Sequence, residues 1–180
     1  MCSCNKARRP PPSAAPAAVG RPAPRTALPS VAVTVAPPPD ITIPTVDTSV
    51  WGAALWRVLH TASVATKYSK QARLWRELLA ALRTGIPCPE CSAHYNAWHA
   101  SHGIRFTITR DGIRKPVLRW VLDLHNDVNA RTGSSSGAWT EKQVMDTYRD
   151  LEGARAALAS LQGVIGDAAW AAATALLNSL

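Results

Sequence analysis

The sequence predicts an all-α fold with a single folded domain. Hydrophobic residues make up 47% of the 180 positions, but they are chiefly Ala, Leu, Val and seven Trp, with one Phe, and this mixture favours helices. Strand-like alternation is nearly absent, whereas apolar residues recur at spacings of three and four. We therefore divide the chain into an arm (1–48), a folded domain (49–152) and a helical extension (153–180).

The arm contains most of the 14 prolines among Ala, Val and Arg. Such a composition favours extended polyproline II conformers and does not bury a core, so we expect disorder. The prolines interrupt every apolar stretch, which argues against a signal peptide and disfavours a mitochondrial transit helix. We expect an intracellular protein, in the cytoplasm, with a viral or mitochondrial setting left open.

The first predicted helix runs from Val50 to about Thr66, with Thr48 or Ser49 as its cap. Three residues at four-residue spacing form one stripe along this helix, and they are Gly52, Trp56 and His60. A second helix should follow over residues 70–84, capped by Ser69 and stopped by Gly85.

The third helix should begin at a Cys-x-x-Cys pair. Cys88 occupies an N-cap position and Pro89 the first helical position, where its missing N–H does no harm. This helix should end near Ser101 and be followed by a loop over residues 104–114.

Three further helical segments complete the predicted fold. One runs from Pro116 to Arg131 and is apolar on two faces, which indicates burial on most sides. Thr140 and Gln143 fit a capping box for a short helix. The Ala-rich segment 153–180 is predicted as one more helix, and its charges argue against a membrane span.

The pair Cys88 and Cys91 favours redox chemistry. A sulfur at a helix N-terminus lies near the positive end of the helix dipole, which stabilises a thiolate. Zinc is the alternative, because His94, His99 and His102 follow closely on the same predicted helix. One short segment would then have to supply all four ligands in tetrahedral geometry, so we predict no metal site. A thioredoxin-like fold is disfavoured by the absence of a βαβ pattern, and an all-helical dithiol enzyme needs a flavin or similar electron acceptor.

Three segments occur in a characteristic order, each with its own signature. They are Trp51-Gly52 with Trp56-Arg-Val-Leu-His60, Ile86-Pro-Cys-Pro-Glu-Cys91-Ser-Ala-His94-Tyr, and Trp120 ahead of His125-Asn-Asp-Val-Asn129. Together these motifs resemble the Erv/ALR family of FAD-linked sulfhydryl oxidases over about residues 51–153. The low cysteine count is similar to that of family members encoded by large DNA viruses.

The resemblance implies a four-helix bundle with a short fifth helix, a homodimer, and FAD at the mouth of the bundle. It also implies that dithiol protein substrates, thioredoxin-like proteins among them, exchange disulfides at Cys88. Cys91 then lies against the flavin, and molecular oxygen takes the electrons as hydrogen peroxide. The residues implied in FAD binding are Gly52, Trp56, His60, His94, His125, Asn126, Val128, Asn129, Arg131 and Tyr148.

Cys2 and Cys4 are a second pair, interpreted as a shuttle disulfide, since many family members carry such a pair outside the core. The chain between Cys4 and Trp51 has an r.m.s. span on the order of 35–40 Å if flexible, enough to reach an active site. A lipidated or incidental pair is the alternative.

The net charge of +8 comes from scattered Lys and Arg without a basic run, so nucleic acid is not a predicted partner. Two other functions stay open on the residues alone. One is a zinc-stabilised helical binding module, and the other is a non-catalytic scaffold that recruits partners through its proline-rich arm.

Overall fold

A computed structural model describes residues 47–104 and 112–180, and in this part of the chain the predicted all-α fold is confirmed. The helices are α1 (Thr48–Ala65), α2 (Ala72–Gly85), α3 (Pro89–Ser101), α4 (Arg114–Thr132), α5 (Glu141–Thr147), α6 (Leu151–Ser160) and α7 (Asp167–Asn178). The proline-rich arm with Cys2 and Cys4, and most of the predicted loop after α3, lie outside the described residues.

The helices pack around one main apolar core. α1 lies between α4 and α6, α2 contacts α3 and α7, and α6 and α7 pack against each other. Trp75, Leu78 and Leu82 of α2 are fully buried in this core, together with Val58 of α1 and Val121 of α4. The short α5 packs against both α4 and α1.

Two of the helix starts match the predicted caps. Cys88 caps α3, with Pro89 at its first position. At α5, Thr140 accepts a hydrogen bond from the Gln143 backbone N–H and the Gln143 side chain accepts from the Thr140 N–H, which completes the predicted capping box.

The predicted caps of the first two helices are wrong. α1 is capped by Asp47, whose carboxylate accepts a hydrogen bond from the Ser49 N–H at 2.8 Å. Hydrogen bonding from Ser49, first from its side chain and then from its backbone N–H, lowers the pKa of Asp47. Residues Ser69–Gln71 form a 3₁₀ turn ahead of α2, because the Gln71 side chain accepts hydrogen bonds from the backbone N–H groups of Lys67 and Tyr68, both at 3.0 Å.

The segment 153–180 was predicted as one helix, and this is wrong. It forms part of α6, a turn and α7, and the turn contains Gly163 in the left-handed conformation at φ 72°. Residue 153 lies within α6, and both helices bury side chains in the main core, among them Leu158 and Leu176. The extension is therefore integrated into the bundle.

A close glycine contact joins α2 to the start of α7. The Gly166 N–H donates to the Gly85 carbonyl at 2.9 Å. A Cβ added at Gly85 would lie 2.7 Å from the Cβ of Ala169, closer than packed carbon atoms approach. Small residues on both sides thus allow the backbones of α2 and α7 to meet.

No helix within residues 47–104 and 112–180 is both long enough and apolar enough to traverse a lipid bilayer.

The Gly85→Ala variant should be less stable than the wild type by about 1–3 kcal/mol, because the methyl group must displace α7. Alanine is ordinarily the better helix former, so a loss of stability identifies the steric effect. Gly103→Ala is the matched control, since no described residue lies within 4 Å of its added Cβ. Urea denaturation of the two variants measures the difference, and equal free energies of unfolding would contradict the prediction.

Candidate functional site

The start of α3 holds a disulfide between Cys88 and Cys91, with their Cα atoms 5.2 Å apart. The Cys88 sulfur accepts a hydrogen bond from the Cys91 backbone N–H at 3.2 Å, so it occupies the N-cap position itself. Both cysteines are half-buried. The free N–H groups of a helix N-terminus favour negative charge, and sulfurs here are suited to reversible thiolate chemistry.

An apolar cavity of about 130 Å³ lies beside this disulfide. Cys91 is part of its wall and Cys88 is not, so the two sulfurs differ in what they face. The cavity is lined by residues of α1, of α3, of α4 and of the end of α2, namely Thr48, Trp51, Gly52, Leu55, Trp56, Leu59, Leu82, Ile86, Cys91, His94, Tyr95, Leu124, Val128, Arg131 and Thr132.

Gly52 leaves room in the wall that α1 contributes. Among the described residues, a Cβ at this position would meet only Thr48 Cγ2, at 3.9 Å. The absent side chain therefore leaves open space that a larger residue would fill, one turn from the indole of Trp56.

Trp56 also belongs to a second group of rings between α1, α4 and α5. Its indole stacks on His125 with ring centroids 4.1 Å apart, and His60 stacks on Tyr148 at 4.7 Å. His60 Nε2 and His125 Nδ1 share a hydrogen bond of 2.7 Å. Trp56 thus connects the cavity to this imidazole cluster, defined as His60, His125 and Tyr148.

Burial keeps the imidazole cluster neutral. Desolvation, with a smaller contribution from His125, lowers the pKa of His60 to about 3, and desolvation lowers that of His125 to about 4. Burial also raises the pKa of the Tyr148 hydroxyl. His60 Nδ1 is buried without a hydrogen-bond partner among the described residues, so a polar group of a ligand would satisfy it.

Asn126 and Asn129 hold the loop that follows α4. The Asn126 side chain accepts from the Trp139 N–H at 2.7 Å and donates to the Trp139 carbonyl at 2.9 Å, while Asn129 donates to the Gly137 carbonyl at 2.9 Å. These bonds place the Trp139 indole near His125 and Tyr148, with centroids 6.1 and 5.7 Å away. By binding the loop backbone, the two amides therefore position Trp139 beside the imidazole cluster.

The structure brings the predicted site residues together in three sets. Gly52, Trp56, His94, Val128 and Arg131 line the cavity with Cys91. His60, His125 and Tyr148 form the imidazole cluster, and Asn126 and Asn129 bind the 137–139 backbone.

Sequence reasoning missed two residues next to these sets. Trp139 was not assigned because its place depends on the Asn126 hydrogen bonds, although an isolated Trp just before a capping box is a usable signal. Asp127 bonds to His94 across two helices at 2.7 Å, and its position in the sequence gives no sign of that partner.

Within the described ranges, no three His, Cys, Asp or Glu side chains converge in a way that would bind a metal ion.

The chain belongs to the Erv1/Alr family, the family of FAD-linked sulfhydryl oxidases. A family model of that description matches residues 53–149, more than half of the chain, and the match contains the cysteine pair and both histidines of the imidazole cluster. No curated protein and no solved structure matches the chain.

The two buried histidines predict a loss of stability in acid. Their folded-state pKa values lie below the ordinary value of 6.5, so the unfolded chain binds more protons below pH 6.5. The contribution of the two histidines to the free energy of unfolding is fully present above pH 6.5, and it is lost as the pH is lowered towards about 4. His60 alone should contribute a slope approaching about 1.4 kcal/mol per pH unit.

Urea denaturation between about pH 7 and 4.5 tests this prediction. His60→Gln should flatten the slope, and His102→Gln, at an exposed position on the turn after α3, should leave it unchanged. Equal slopes for wild type and His60→Gln would contradict it.

Proposed function

We propose that this protein is an FAD-dependent thiol oxidase that forms disulfide bonds in dithiol substrates and passes the electrons to molecular oxygen, giving hydrogen peroxide. The observation that carries the proposal is the disulfide at the N-terminus of α3, with Cys91 in the wall of an apolar cavity and Cys88 outside that wall. Membership in the Erv1/Alr family supports it.

The residues present fit FAD. A flat, mostly apolar ring system suits the cavity, where Gly52 leaves open space and Trp56 offers a stacking face. The unpartnered His60 Nδ1 provides a polar contact inside the imidazole cluster, and the exposed Arg131 provides a cation at the cavity for a phosphate. When bound, FAD would supply the ability to take two electrons from thiols and to react with oxygen.

The cysteine pair performs the exchange with the substrate. A substrate thiolate attacks the Cys88 sulfur, a mixed disulfide forms, and the Cys88–Cys91 bond breaks with Cys91 as the leaving thiolate. A second substrate thiolate then displaces Cys88 and the substrate leaves oxidised. The helix N-terminus favours both leaving thiolates, and the Cys91 N–H that donates to Cys88 in the disulfide remains placed to stabilise a Cys88 thiolate.

Three parts of the proposal rest on the sequence and the family alone. They are a homodimer, a cytoplasmic location, and a role for Cys2 and Cys4 in relaying electrons from protein substrates, thioredoxin-like ones among them, to Cys88.

A visible spectrum of the purified protein tests the proposal, followed by oxygen uptake with a small dithiol. Absorbance near about 450 nm, as flavins generally show, and dithiol-dependent oxygen consumption are expected. A colourless protein with stoichiometric zinc would instead support the binding-module alternative.

Cys88→Ser and Cys91→Ser should each abolish dithiol-dependent oxygen uptake, because exchange requires both sulfurs. Both variants should keep their flavin, since the fitted contacts come mostly from α1 and α4. The control is the Cys2→Ser/Cys4→Ser double variant, which should retain activity on the small dithiol. Substantial oxygen uptake by either single variant would refute the dithiol mechanism.

Gly52→Leu should lose flavin without unfolding. The added side chain has open space in the wall of the cavity, so the ligand-free domain keeps its packing, and leucine is the better helix former. The ratio of flavin to protein absorbance should fall several-fold while the helical circular dichroism is unchanged. Gly103→Leu, away from the cavity, should retain the wild-type ratio, and full flavin content in Gly52→Leu would exclude this wall from the binding site.

A further inference from the structure

Asp127 of α4 determines which ring nitrogen of His94 carries the hydrogen, and His94 lines the cavity. Its Oδ2 atom lies 2.7 Å from Nε2 of His94 on α3. The His94 side chain is 19% exposed and that of Asp127 44%, so the bond is partly shielded from water. An ionised carboxylate only accepts hydrogen bonds, so Nε2 carries the hydrogen and donates it. The lone pair of the neutral ring is then on Nδ1.

His94 and Cys91 share a face of α3. They are three residues apart, the spacing of neighbours on a helix surface, and both line the cavity. The bond to Asp127 occupies Nε2 of His94 and leaves Nδ1 as the other ring nitrogen. The ring nitrogen that can accept a proton is therefore on the residue one turn from the sulfur that faces the cavity.

We propose that Cys91, His94 and Asp127 form a proton relay: when the disulfide is reduced and Cys91 leaves as a thiolate, Nδ1 of His94 accepts one of the two protons that the substrate dithiol gives up, and Asp127 is the positioning residue that holds the ring in the accepting tautomer. The relay rests on the proposed thiol oxidase function and gives the cavity-side thiolate an imidazolium as its partner. The arrangement follows the logic of a nucleophile, a histidine and an orienting carboxylate.

Atoms and electrons balance in this step. A substrate dithiol brings two electrons and two protons, its two sulfurs become joined, and the Cys88–Cys91 bond breaks. The electron pair then resides on the two cysteine sulfurs. Of the two substrate protons, Cys88 takes one and Nδ1 of His94 takes the other, so Cys91 is a thiolate paired with an imidazolium that Asp127 stabilises.

The other groups near His94 do not replace Asp127. Tyr95 is buried, donates its hydroxyl to the Leu79 carbonyl at 2.7 Å, and burial raises its pKa, so it stays neutral. Arg131 lines the cavity, and it favours a thiolate equally whether residue 127 is Asp or Asn. Arg83 of α2 donates to Asn96 at 3.0 Å, and the parts of α1 and α2 that line the cavity contribute no titratable side chain.

The test compares Asp127→Asn with Asp123→Asn in the full-length protein. Asp123 is also on α4, one turn earlier, and pairs with Arg119 at 2.9 Å. Each protein is equilibrated anaerobically in glutathione redox buffers between about pH 6 and 9, quenched with acid and alkylated in denaturant. Peptide mass spectrometry then gives the reduced fraction of the Cys88–Cys91 pair. The pH dependence of its reduction midpoint changes slope where the first thiol ionises.

The sign of the shift distinguishes the relay from simple charge removal. Loss of a carboxylate charge alone makes a nearby thiolate easier to form, which moves the change of slope to lower pH. Loss of the relay moves it to higher pH. We expect Asp127→Asn to raise it by about half a pH unit or more, roughly threefold in the ionisation constant, and Asp123→Asn to leave it in place. An unchanged or lowered value in Asp127→Asn would overturn the relay.

A His94→Asn background shows whether Asp127 acts through the imidazole. There the Asp127→Asn change should no longer raise the pH at which the slope changes, and only the lowering caused by loss of the carboxylate charge should remain. A shift of the same size in both backgrounds would overturn the assignment. Asp127→Glu should restore the wild-type value, and thermal melts confirm that each variant is folded.

This readout needs neither flavin nor oxygen, so it fails independently of the proposed function. A chain that consumes no oxygen yet shows the Asp127 shift would refute the oxidase and retain the relay. An active oxidase without the shift would refute the relay and leave the proposed function standing.

Discussion

The hydrogen bond between His60 and His125 determines how α1 lies on α4. An apolar interface between two helices can slide or rotate at little cost, but a buried polar pair has one arrangement that satisfies it. The bond brings Trp56 onto the His125 ring and places the stripe that begins at Gly52 over the cavity. The wall that faces Cys91 therefore depends on two imidazoles that are themselves remote from the sulfur chemistry.

α6 and α7 add to the core in a chain that has no cysteine after Cys91. Their buried residues are mostly Ala and Leu, which pack against α1 and α2 at short range because small side chains let helix axes approach. A Cβ added at Gly166 would lie 2.9 Å from the Cα of Gly85, so the two backbones meet here without a side chain between them. The packing of α6 and α7 thus stabilises α1 and α2, which both contribute residues to the wall of the cavity.

Much of the helical core could be predicted because its signals are local. A proline after Cys88 and the Thr140–Gln143 box each specify a helix start within one turn, and Gly52, Trp56 and His60 occupy one face by spacing alone. The turn inside 153–180 was missed since Ala and Leu continue on both sides of it and the contact that requires it comes from Gly85, far along the chain. The Asp127–His94 and Asn126–Trp139 pairs were missed for the same reason, because their partners lie on other elements.

The disulfide forms part of a partition. Cys91 faces the cavity and Cys88 lies outside its wall, only three positions away. In the proposed oxidase, the Cys88–Cys91 disulfide transfers electrons from the substrate at Cys88 to the cavity beside Cys91. The substrate and the oxidant therefore bind at different places on the protein. The surface around Cys88 can then vary with the substrate protein, whereas the shape of the cavity beside Cys91 is constrained by the electron transfer that takes place there.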